Sequence, residues 1–316
     1  MLSRTAASLY WVGRYMERAE NLARILEVGY RMSQMPDLEA GGTRNEWPSS
    51  AVAAACEDGL IEKHGEANLD TVLSYIALDP ENPSSIHACL ETARTNARAV
   101  RTAVTSEMWE SLNDTWLEFN GQWRKSLKKD NLLSFLDWVK TRSTIFRGAM
   151  SGTMLRDEPY AFINVGTFIE RTENTARILD VKFHVLLPQG ESIGGSVDYY
   201  QWATVLRSVS ALGSYHWVYR DAIKPWQVAE LLILKKEMPR SLVYTLSQVS
   251  YYLNQIGDGH GRRYDSQRLA GKLHSELDFS KVDDIFQDGL HEYLDKFLVR
   301  NNKLGVAIAE DFHFYL

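Results

Sequence analysis

The sequence predicts an all-α helical bundle of about eight to ten helices, built as two related halves. Three observations carry this prediction. Turn residues are few and clustered, with 8 prolines and 20 glycines in 316 residues, and the stretches between them show helical periodicity. No segment alternates β-branched residues between hairpin turns, as strands would. One helix pattern also occurs twice: "VGRYMERAENLARILEV" (Val12 to Val28) returns as "VGTFIERTENTARILDV" (Val165 to Val181), at a constant offset of 153 residues.

The elements follow in order. The N-terminal "MLSRTAASLYW" runs straight into the first copy of the repeated helix, which ends at the break "MPDLEAGGTRNEWPSS" (Met35 to Ser50). A second break, "DPENPSS" (Asp79 to Ser85), places Ser85 as a cap before a run reaching Val104, and Thr105 opens the next helix. Pro159 sits where a first-turn proline is tolerated, with Asp157 just upstream as a cap for the second copy. "LPQGESIGGSVD" (Leu187 to Asp198) ends that copy, and Ser196 precedes a further helix. Pro239 opens another, "GDGHGRRY" (Gly257 to Tyr264) breaks the chain, and Ser280 precedes a last long segment reaching roughly Ala309. The loops after the two copies lie at nearly the same distance from them. The halves, 1–150 and 151–316, are therefore expected to share one core about a pseudo-two-fold axis, as a single domain over 1–316.

Bulk composition narrows the function classes. A net charge of −6 and a pI near 5.8 argue against a nucleic-acid binder, which carries a basic excess or stripe. The two cysteines, Cys56 and Cys89, have no metal or disulfide spacing. The N-terminus lacks the apolar core of a signal peptide, and the longest aliphatic run, "LLIL" (Leu231 to Leu234), is far short of a membrane span. A cytoplasmic location is expected, with no membrane partner.

The repeated helix carries the chemistry. Aligning 9–28 with 162–181 gives 11 identities in 20 positions, including Gly13/Gly166, Glu17/Glu170, Arg18/Arg171, Glu20/Glu173, Asn21/Asn174 and Arg24/Arg177. At about 100° per residue, Gly13, Glu17, Asn21 and Arg24 share one stripe, flanked by Arg14 and Glu20. One reading is a solvated amphipathic face with weak i,i+4 pairs. The other is that the two stripes face each other or a common cleft in a buried Glu–Arg–Asn network. It is favoured because polar positions persist while apolar ones drift, as Leu22 against Thr175 does. A mid-helix glycine costs about 1 kcal/mol, which makes sense where a backbone or ligand comes close. Such a network either fixes helix register or binds an amino acid or peptide end. In the binding case Glu17 or Glu170 would take the amino group and an arginine the carboxylate.

Other chemistries find little support. "GDGHGRRY" lacks the G-K-[ST] of a P-loop. Glu17, Glu20, Glu170 and Glu173 could meet as a carboxylate set, but the E-x-x-H histidine of di-iron bundles is missing and arginines interleave, so no metal is expected. Asp284, Asp288 and His291, spaced i, i+4, i+7, read first as an acidic solvated face and second as a face that could hold a single metal. His87 and Cys89 lie two apart and point to different sides of a helix, and no G-x-S-x-G occurs. Trp109, Trp116 and Trp123, seven apart, read as core or as a docking stripe.

Several stretches carry a resemblance. "MLSRTAASLYWVGRYMERAENLARILEV" and "GTFIERTENTARILDVKF", with "ARTNARAVRTAVTSEMWESLN", "YRDAIKPWQVAELLIL" and "PRSLVYTL", resemble the alpha-E family, a bacterial helical domain with a glutamate–arginine motif. The likeness runs through most of the chain. It implies a partner: a circularly permuted ATP-grasp protein that forms amide or peptide bonds, sometimes with a transglutaminase-like or proteasome-like peptidase nearby. The chain would then be an accessory of that ligase, with no cofactor of its own. The alternatives are an enzyme acting on an amino acid or peptide at the twin motif, and a purely structural helical adaptor. The resulting candidate network is Arg14, Glu17, Arg18, Glu20, Asn21 and Arg24 with Glu170, Arg171, Glu173, Asn174 and Arg177.

Overall fold

A computed structural model describes residues 1–34, 47–184 and 195–314, and every regular element in them is a helix. The helices of thirteen residues or more are α1 (Ser3–Ser33), α2 (Ile86–Ala99), α3 (Ser106–Glu118), α4 (Leu132–Thr153), α5 (Glu158–His184), α6 (Ser196–Ser208), α7 (Leu242–His260), α8 (Asp265–Phe279) and α9 (Leu290–Asp311). Short helices such as Trp47–Ala53 connect them. The all-α expectation holds. Most of the two loops expected after the motif copies, 35–46 and 185–194, lies outside the described residues, although Trp47 to Ser50, placed in the first of them, is helical.

The two motif helices, α1 and α5, cross at the centre. Helices α2 and α4 pack on α1 and are bridged by α3, while α7 and α9 pack on α5 and are bridged by α8. Two glycines set the crossing. A Cβ on Gly13 would lie 2.2 Å from the Ile163 carbonyl oxygen, and one on Gly166 would lie 2.1 Å from that of Tyr10. The close approach that a mid-helix glycine signals is thus to the opposing backbone, reciprocally.

Because the helices sit so deep, neither has a solvated stripe along the motif. Leu22, Ala23 and Leu26 are buried, and so are Glu17, Glu20 and Asn21. The solvated-face reading falls. Capping follows the sequence: Ser85 accepts from the Ala88 N–H at 3.0 Å, Thr105 from Met108 at 3.3 Å, and Asp157 from Tyr160 at 3.3 Å. Trp109, Trp116 and Trp123 are half-buried against the core, Trp123 beside Phe135 and Trp138, so the stripe is packing.

Three boundaries differ from expectation. Pro239 does not open α7, because the helix starts at Leu242 under the Ser241 cap, which leaves Arg240 outside it. The break at Gly257 comes later, at Gly261 (φ 59°). Gly257 stays helical, and glycine there serves close packing, since a Cβ would meet the Gln267 side chain of α8 at 2.6 Å. The last segment is cut at Gly289 (φ 88°), where the left-handed region favours glycine. No helix among the described residues is long and apolar enough to cross a membrane.

Candidate functional site

The packing of α1 on α5 brings all eleven candidate residues into two clusters, whose motif residues all follow the glycine contact along the two helices. The first gathers Glu17 and Glu20. Arg171 grips Glu17 with both arms, Nε to Oε1 at 2.8 Å and Nη2 to Oε2 at 2.7 Å. Arg240 Nη1 adds a third bond to Glu17 Oε1 at 3.2 Å, and its Nη2 donates to Glu20. Arg147 from α4 also donates to Glu20. Arg24 reaches the same carboxylate through Nε at 3.1 Å and Nη2 at 2.7 Å, and its Nη1 donates to the Ser208 carbonyl and to Ser210 Oγ.

Both carboxylates are buried, at 1% and 0% exposure. Burial alone would push their pKa values up. Arg171 and Arg240 outweigh it at Glu17, and Arg240, Arg147 and Arg24 do so at Glu20, so both lie below the ordinary glutamate value. Burial pushes the Arg240 guanidinium down to about 10, which leaves it charged at neutral pH.

The second cluster mirrors the first pair by pair, then departs from it. Arg18 grips Glu170, Nε to Oε1 at 2.6 Å and Nη2 to Oε2 at 3.0 Å, as Arg171 grips Glu17. Arg177 holds Glu173 Oε1 through Nε at 3.0 Å and Nη2 at 2.8 Å. Arg14 spans both carboxylates, at 2.6 Å to Glu170 and 3.5 Å to Glu173. Burial would raise the Glu170 pKa, but Arg14 and Arg18 hold it down at about 2.

Here the space beside the carboxylates is not filled. A cavity of about 120 Å³ is lined by Arg18, Asn21, Leu22, Ile25, Ala53 to Ala55, Ser84, Glu170, Glu173, Asn174 and Arg177. Asn21 Nδ2 and Oδ1 and Asn174 Nδ2 are buried with no hydrogen-bond partner among the described residues. Buried amides without partners are costly.

The difference comes from residues outside the motif. Pro83-Ser84-Ser85 precedes α2 as Pro239-Arg240-Ser241 precedes α7, and both third-position serines cap their helices. Ser84 therefore stands where Arg240 stands in the first cluster. Ser143 of α4 donates to the Met16 carbonyl, and Asn301 of α9 to that of Ile169, both at 3.4 Å. Four residues on, Arg147 has Gly305 as its counterpart. Ala55 (φ 53°) and Ser210 (φ 58°) occupy matching turns, so an alanine replaces a hydroxyl that accepts from arginine. Arg147, Arg240 and Ser84 escaped the sequence reading. The repeated P-x-S before an apolar helix was the signal that pairs Ser84 with Arg240.

Other candidates separate from the site. Gly289 puts Asp284 and His291 on different helices, and His291 Nδ1 lies 2.8 Å from Asp180, so no shared metal face forms. No cluster among the described residues is suited to a metal ion. Cys56 and Cys89 are free and buried, and burial pushes the Cys89 thiol up to about 12. His87 Nδ1 bonds the Leu78 carbonyl at 2.9 Å instead of serving Cys89.

No solved structure matches this chain. Uncharacterized proteins of Mycobacterium bovis and Mycobacterium tuberculosis are 23% identical to it over 317 residues, covering 93% of this chain and 35% of theirs. The chain thus spans about a third of the length of those relatives. The model of the Alpha-E family, "a predicted alpha-helical domain with a conserved ER motif", matches residues 1–313, and the ER pairs Glu17-Arg18 and Glu170-Arg171 are the residues that interlock α1 with α5: the chain belongs to the Alpha-E family.

Proposed function

We propose that this protein is an accessory partner of a circularly permuted ATP-grasp amide ligase, contributing a binding site for an amino acid or peptide end and no ATP chemistry of its own. The observation that carries the reading is the cavity of the second cluster, where buried amides of Asn21 and Asn174 have no partner among the described residues. Such a site binds. Its carboxylates are poorly placed to act as bases, since Glu170 is held at about 2, far from the neutral range that suits proton transfer. The buried Cys89 thiol is equally unsuited as a nucleophile. Relatives in which the matching stretch fills only 35% of a longer chain leave room for a partner fused to it.

The test is ATP turnover by the ATP-grasp protein across a panel of amino acids and short peptides, with this protein present, absent, or carrying Arg177→Ala. Turnover that needs the intact protein and falls at least about tenfold with the variant supports the accessory role. Equal turnover in all three conditions overturns it.

A further inference from the structure

We infer that the open cavity recognises a free α-amino acid as its zwitterion, the ligand supplying in the second cluster what Arg240 and Arg147 supply in the first. The inference rests on the binding reading of this cavity and names its ligand class.

The unused groups point to both charges. Arg18 and Arg177 spend Nε and Nη2 on Glu170 and Glu173, which leaves Nη1 of each without a hydrogen bond among the described residues. Asn21 and Asn174 add their side chains to the same lining, and the lone pairs of a carboxylate suit the two unused Nη1 groups. Ser84, next to the cap of α2, brings the positive start of that helix to the same wall.

Two acceptors also wait there. Among the described residues Asn21 Oδ1 has no partner, and Glu173 Oε2 is engaged only by Arg14 at 3.5 Å. An ammonium group would satisfy both. Three guanidinium groups against two carboxylates leave the cluster at +1, a balance that a zwitterion does not change. A simple cation would worsen that balance, and a simple anion would leave the acceptors unmet. Leu22, Ile25 and Ala53 complete the lining with an apolar wall, which suits a small aliphatic side chain.

The experiment is titration calorimetry of the full chain with each genetically encoded amino acid, and with the N-acetyl and carboxamide forms of any that binds. Acetate and methylamine serve as single-charge probes. Ser84→Arg places a guanidinium where Arg240 stands in the filled cluster and removes none of the paired side chains. Arg177→Gln, at a half-buried position, tests the same site should Ser84→Arg unfold. The expected result is binding of a small aliphatic amino acid, weakened at least about tenfold by either capping and by either variant. Failure of every amino acid to bind overturns the inference. So does wild-type affinity in both folded variants, or an N-acetyl form that binds as well as the free amino acid. Amino-acid binding without any effect on ligase turnover would leave the site standing and remove the accessory role. Turnover that depends on the protein without amino-acid binding would do the reverse.

Discussion

The two clusters begin from the same six-residue vocabulary and end differently. In one, four arginines close over two buried glutamates. In the other, three arginines hold two glutamates beside a cavity. The motif residues Glu17, Arg18, Glu170 and Arg171 interlock the helices reciprocally on both sides, so the motif itself is a clasp. What turns one clasp into a pocket is carried elsewhere, by Ser84 against Arg240 and Gly305 against Arg147. Thr175 sharpens the point. Its hydroxyl donates to the Arg240 carbonyl at 2.8 Å and fixes that segment, while its counterpart Leu22 offers only an apolar wall to Ser84.

Acid gives the largest expected effect, because it acts on both clusters together. Glu17, Glu20 and Glu170 all have folded pKa values below their ordinary 4.5, Glu170 at about 2. A carboxylate whose pKa falls on folding stabilises fully above its unfolded pKa, and the contribution is lost as pH drops through the folded value. Stability should therefore be level down to about pH 5 and fall steeply toward pH 2. Urea midpoints followed by circular dichroism between pH 7 and pH 2 would show it. A flat profile would mean the arginines do not hold these carboxylates ionised.

Single substitutions then separate the clusters. Glu20→Ala leaves Arg147, Arg240 and Arg24 facing a buried gap and should cost about 3–5 kcal/mol, since stranding buried charge is the expensive case. An equal and small loss at Glu20 and Glu173 would erase the distinction drawn between the two sides. Gly13→Ala and Gly166→Ala come next. Each Cβ would run into an opposing carbonyl, so a loss of about 1–3 kcal/mol is expected even though alanine favours helix by about 1 kcal/mol. Thermal unfolding of the two variants checks this, and a gain in stability at either position would deny the backbone contact.

The sequence made the helices, their caps and the paired stripes legible, because each depends on neighbours three or four residues apart. Glycine one turn before glutamate gave away the helix crossing for the same local reason. Arg147 and Arg240 were not legible. They meet Glu20 across 127 and 220 residues of chain, and nothing local in "STIFRGAM" or "MPRSLVY" marks an arginine that turns inward. The missed break at Gly289 has a different cause. The apolar period runs across it almost unbroken, and only the positive φ separates the two helices.

The smallest expected effect is the most telling for function. Glu173 and Arg177 are 27% and 28% exposed, and they pair with each other across one helical turn. Water screens such a pair, so Arg177→Ala should cost no more than about 1 kcal/mol of folding stability. The same change removes one of the two guanidinium groups that border the cavity. A residue that matters little to folding and much to ligand affinity belongs to a binding site, whereas one that matters equally to both belongs to the clasp. Measuring urea midpoint and amino-acid affinity on the same Arg177→Ala sample separates the two. A large loss of stability would place the second cluster with the first, as architecture.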